Sequence, residues 1–226
     1  MAVKSLKEFL AATQEKDLSA DAFELESPYM LEVRVDGRVW SKSGAMVARK
    51  GAVKFTREGV LERGVGNLLK KLATGEGLRL MKVEGQGRVY LADMGKKITL
   101  LRLEGDSVFV NGNDVLAFED GIDSQITMMR KVAGMMAGGL FNIRLSGHGI
   151  VAVTSHYEPM TLPVSAQTGP IFTDPNSTVA WPEVVTDISL GTLLGRGSGE
   201  SLQLKFAGEG WVVVQPYEEV TFQTKP

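Results

Sequence analysis

Histidine is the side chain best placed for proton transfer near neutrality and for metal ligation, and this chain carries only two, His148 and His156. Neither has the spacing of a metal-binding pair, and a cupin-like centre would need both or would have to lean on carboxylates. His148 sits inside a Gly-His-Gly triplet whose counterparts elsewhere in the chain hold Gln86 and Glu209, so the position asks for a polar side chain rather than an imidazole. With no cysteine, the chain has no thiol nucleophile, thiolate metal site or disulfide. No catalytic residue, cofactor or metal ligand is assigned, and a non-enzymatic protein is expected.

Two glycine patterns resemble anion sites. The pairs Gly85 and Gly87, Gly147 and Gly149, and Gly208 and Gly210 are not completed as GxGxxG before a helix; each lies between two strand patterns, where glycine serves a turn or bulge. The run GRGSGES from Gly195 to Ser201 lacks the Lys-Ser or Lys-Thr of a phosphate loop, and Ser198 lacks the flanking glycines of a nucleophile elbow. A connector between strands fits it better.

The basic residues Lys82, Arg144 and Lys205 recur at one position of a repeated segment. MKVEGQGRVYL from Met81, IRLSGHGIVAV from Ile143 and LKFAGEGWVVV from Leu204 align without gaps, at spacings of 62 (143 minus 81) and 61 (204 minus 143) residues. A second block keeps the same order: VWSKSGAMVA from Val39, VFVNGNDVLA from Val108 and IFTDPNSTVA from Ile171. Two blocks in register argue for duplication of one unit of about sixty residues. In a pseudo-threefold body Lys82, Arg144 and Lys205 would form a small positive ring for an anionic partner such as a lipid headgroup, nucleic acid or an acidic protein segment. The plainer alternative is that they are solvated strand residues paired with acids such as Glu84 and Glu209.

Hydrophobic periodicity supplies the elements around these positions. Ser5 and Glu8 have the form of a capping box ahead of Leu6, Phe9 and Leu10, predicting a short N-terminal helix. From Tyr29 the period is two, and strand signals separated by glycine turns continue to the end. Further helix is expected only around Asn67 to Ala73 and Met128 to Met136. We therefore expect an N-terminal helical segment over 1–26 and one all-β domain over 27–226, with units at about 29–92, 93–156 and 157–220. Met128, Met129, Met135 and Met136 are interface candidates, because methionine adapts to irregular contact surfaces.

The segments WSKSGAMVARKG, TGEGLRLMKVEGQGRVYLAD, VFVNGNDVLAFE, MAGGLFNIRLSGHGIVAVTSH, FTDPNSTVAWP and GRGSGESLQLKFAGEGWVVVQPYEE resemble the altered inheritance of mitochondria protein 24 family, over roughly Ser27 to Val220. The resemblance implies a bacterial member, with three β units like those of the tryptophan RNA-binding attenuation protein. They would be of double-stranded β-helix or sandwich type, in homo-oligomers. Eukaryotic relatives are associated with organisation of the mitochondrial inner membrane. The family supplies no catalytic residues to carry over.

Charge is nearly balanced, 25 basic against 27 acidic residues, which argues against nucleic acid as a general partner. The N-terminus has no apolar signal core and no run is long enough to span a bilayer, so a cytoplasmic location is expected. The function expected is an oligomeric scaffold or interaction protein, with a homotrimer favoured and a protein or membrane-surface partner outside it. A small-ligand or RNA module like the attenuation protein is the alternative, ahead of a cupin-like enzyme.

Overall fold

A computed structural model of the chain describes residues 3–57, 80–128, 141–183, 187–191 and 203–218. The expected helix is present as α1 (Leu6–Ala12), with Ser5 as N-cap and a reciprocal capping box to Glu8. None of its residues is buried, so Leu6, Phe9 and Leu10 form an exposed apolar stripe. Among the described residues the remaining regular structure is strand, apart from a 3-10 turn at Gly112–Asp114. The strands are β1 (Phe23–Ser27), β2 (Met30–Lys42), β3 (Met46–Arg57), β4 (Leu80–Leu91), β5 (Lys97–Asn111), β6 (Val115–Glu119) and β7 (Ile122–Met128). After these come β8 (Phe141–Ser155), β9 (Met160–Val164), β10 (Ile171–Thr173), β11 (Thr178–Pro182), β12 (Asp187–Gly191), β13 (Gln203–Ala207) and β14 (Gly210–Val214).

An antiparallel 11-stranded sheet runs in the order β3-β4-β2-β6-β8-β5-β11-β14-β9, with β1 added to β2 and β7 to β8. A separate three-stranded sheet has the order β10-β13-β12. Met128 therefore ends a strand where a helix was expected; 129–140, 58–79 and 192–202 lie outside the described residues, and with them the Asn67 to Ala73 helix and the GRGSGES run.

The Gly-x-Gly triplets behave in two ways. In β4 and β8 the strand continues through the triplet, with Gly85 and Gly87 paired on both sides, to β2 and to β3. At Gly208 and Glu209 the chain bends, separating β13 from β14. The expected turn is thus a kink inside a ladder in two of three cases. Gly85 has φ +124°, and a Cβ there would sit 2.1 Å from the Ala52 carbonyl oxygen. Only glycine provides both that dihedral and that close approach.

Three hydrophobic clusters fill the interior. The first contains Leu31, Val33 and Leu91 with Leu116 from β6. The second sets Trp40 from β2 among Phe118, Ile143 and Val179, and the third is built on Trp181, Leu204 and Phe206. Residues from distant stretches of sequence complete each cluster, as half-covered sheets require.

Candidate functional site

Alternation along each strand puts Lys82, Arg144 and Lys205 on the opposite face from their buried neighbours Met81 and Val83, Ile143 and Leu145, and Leu204 and Phe206, and leaves all three half-buried. Across the ladder, each basic residue faces an aromatic one. Trp40 is opposite Lys82, Phe109 opposite Arg144, and Phe172 opposite Lys205. The flanking pairs keep the same register: Val39 with Val83, Val108 with Leu145, and Ile171 with Phe206. The aromatic of one sequence block thus lies beside the cation of the other in all three places.

What each cation touches differs. The Lys82 Nζ lies 5.7 Å from the Trp40 ring centroid, and the indole Nε1 donates to Asp120 at 3.2 Å. Arg144 grips Glu183 at two points, Nε to Oε1 at 3.0 Å and Nη2 to Oε2 at 2.6 Å, and donates to the Ser146 hydroxyl. Its hydrogen bonds, with a smaller one from Ser107, hold the Glu183 carboxyl below the usual range, and Glu183 in turn raises the Arg144 guanidinium. Lys205 lies on the separate sheet, between Phe172 and Ser189. Among the described residues no strand pair brings two of these cations together, since β2 and β6 stand between β4 and β8 and β13 lies in the other sheet.

The two histidines are also apart. His148 is exposed mid-strand opposite Glu104, whereas His156 follows the end of β8 and stacks on Tyr217 with 3.8 Å between centroids. Gln86 and Glu209 are exposed like His148, and Gln86 donates to Asp36 while Glu209 accepts from the Ala166 amide. Met129, Met135 and Met136 lie outside the described residues, and of Met128 only the backbone at the end of β7 is described.

Two polar clusters escaped sequence reading. Lys96 and Asp114 form a buried ion pair at 2.8 Å, and Lys96 also reaches the Asn113 carbonyl. Beside it, Asp93 accepts from Lys42 and from the Thr154 hydroxyl, each at 2.9 Å. These residues join the ends of β2, β4 and β8 to the 3-10 turn. The second cluster fastens the segment before β1. The buried Glu24 carboxylate accepts the amides of Leu18 and Ser19, Arg34 bonds Asp17, Glu24 and Glu32, and Arg88 bonds Glu32 and Glu15. Only the i,i+2 spacing of Glu32 and Arg34 hinted at it, because the other partners are distant in sequence.

These arrangements tie strands together, each charge meeting a protein partner. The family model for mitochondrial biogenesis AIM24 matches residues 23–217. The chain belongs to that family. The crystal structure of protein SPYM3_0169 from Streptococcus pyogenes is similar to it in fold, at 21% identity and TM-score 0.68, covering 87% of this chain and 92% of the other. No curated protein matches the sequence. The AIM24 match begins at Phe23, the first residue of β1, so α1 and the charge-fastened segment after it stand outside the matched region.

Proposed function

We propose that this AIM24-family protein is a non-enzymatic, homo-oligomeric scaffold, built from three β units like those of the tryptophan RNA-binding attenuation protein. The observation that carries this reading is the threefold recurrence of one cross-strand register, Trp40 with Lys82, Phe109 with Arg144 and Phe172 with Lys205. The bulge after each aromatic recurs too, between Met46 and Ala48, Val115 and Ala117, and Thr178 and Ala180. Charged side chains that join strands support it: Arg144 with Glu183, Lys96 with Asp114, and Asp93 with Lys42.

Of the described helices, none is long and apolar enough to cross a membrane. A cytoplasmic scaffold that meets a protein or membrane surface is the form we favour. Native mass spectrometry of the purified protein, with metal analysis of the same sample, tests the reading. A homo-oligomer without stoichiometric metal is expected, the trimer favoured. A strict monomer, or a retained metal or RNA, would overturn it.

A further inference from the structure

Sheets are shared along this chain by one repeated joint. Trp40 and Ser41 of β2 pair with Phe118 and Ala117 of β6, and Phe109 and Val110 of β5 pair with Trp181 and Ala180 of β11. The two joints have the same register, and each stacks its aromatics, Trp40 on Phe118 at 6.2 Å and Phe109 on Trp181 at 5.9 Å. Each also places the bulged strand between two partners, since β6 pairs with β2 and β8, and β11 with β5 and β14.

A third joint is half-built at both ends of the chain. Phe172 and Thr173 of β10 hold the position of Trp40 and Ser41, yet β10 pairs only with β13 among the described residues. Ala48 and Arg49 of β3 hold the position of Ala117 and Phe118, with the same bulge, yet β3 pairs only with β4 among the described residues. Both edges are open to solvent: Phe172 is 49% exposed, Val47 56% and Met46 42%, against 2% for Trp40 and 3% for Trp181 in the completed joints. Within the chain β3 and β10 belong to different sheets, and no ladder joins them. Exposed strand edges carrying an aromatic are templates for another strand.

We propose that a second copy of this chain completes the joint. The β10 edge of one copy adds antiparallel to the Met46–Lys50 edge of the next, with Ile171 opposite Lys50, Phe172 opposite Arg49 and Thr173 opposite Ala48. This register is the one used in both internal joints, Val39 with Glu119 and Val108 with Pro182 occupying the place of Ile171 with Lys50. Side-chain chemistry fits as well. Where the internal joints stack two aromatics, this one sets the Arg49 guanidinium against the Phe172 ring, a favourable pairing of planar cation and π face. The contact is head-to-tail, so copies close into a ring or extend as a filament.

The proposal rests on the oligomeric reading above and specifies its interface. Because the chain has no cysteine, it can be tested with single replacements. Arg49→Cys and Phe172→Cys, carried on two differently tagged chains and co-expressed, should give a disulfide-linked heterodimer on mild oxidation, since directly opposed residues meet disulfide spacing. Phe172→Lys, which opposes Arg49 with a like charge, should weaken self-association at least tenfold by sedimentation. Adding Arg49→Glu should restore it, with the circular dichroism of the folded chain unchanged throughout. An oligomer by native mass that yields no mixed crosslink overturns this interface and leaves the scaffold reading intact. A crosslink found only within one chain of the R49C/F172C double variant also overturns it. A monomer at every concentration overturns both.

Discussion

Trp40 and Lys82 face each other across the β2–β4 ladder, with the ammonium 5.7 Å from the centroid of a buried indole. The charge meets the π face of the ring. Replacing Lys82 by Gln should lower stability by about 0.5–1 kcal/mol. Urea unfolding followed by tryptophan fluorescence measures it, and an unchanged midpoint would show that the cation contributes nothing there.

Two glycines at positive φ, Gly37 in β2 and Gly85 in β4, separate two costs that usually occur together. Gly37 has φ +100° with nothing within 4 Å of where a Cβ would sit, whereas Gly85 has φ +124° and a Cβ contact of 2.1 Å with a backbone oxygen. Gly37→Ala should cost about 1 kcal/mol through its dihedral alone. Gly85→Ala adds the backbone collision and should cost at least about 3 kcal/mol. Equal effects in paired denaturation curves would mean that the neighbouring strand yields freely at Ala52.

Glu183 should titrate below an ordinary glutamate, whose reference value is 4.5, because Arg144 and then Ser107 donate hydrogen bonds to it. A carboxylate with a lowered folded pKa contributes its stability above the unfolded pKa and loses it as pH falls through the folded value. The contribution is therefore present at neutral pH and fades only in acid. Arg144→Gln should raise the Glu183 pKa, and Ser107→Ala should raise it less. Carboxyl NMR titration of the three proteins reads the order directly.

The repeat was legible because its two blocks keep residue types that the register uses: an aromatic in one, a cation in the other, glycines at the kink. Burial explains why the alternation could be read, as the strand from Met81 and that from Ile143 follow the same inside-outside order up to their triplets. Their ladder partners were hidden, since Trp40 meets Phe118 across 78 residues (118 minus 40) and nothing local marks that pairing. Sequence separation also hid most of the charge network of Arg34 and Arg88, whose partners lie before β1, on β1 and on β2. Glycine read as turn-forming was half right for a physical reason: positive φ bends a strand without ending it when both neighbours keep their hydrogen bonds.

Lys96 and Asp114 give the sharpest test of how these joints are held. Both side chains are buried, 5% and 0% exposed, and the ammonium reaches the carboxylate at 2.8 Å. Lys96→Met would leave the Asp114 charge inside the protein, at a cost of about 3–5 kcal/mol. Replacing both, Lys96→Met with Asp114→Leu, removes the stranded charge together with its partner, so the double variant should be more stable than Lys96→Met alone. The double-mutant cycle in urea would then show a coupling of at least about 1 kcal/mol. Strict additivity would mean that the neighbouring Lys42 and Asp93 pair, and not the mutual attraction of Lys96 and Asp114, holds the 3-10 turn against the ends of β2 and β8.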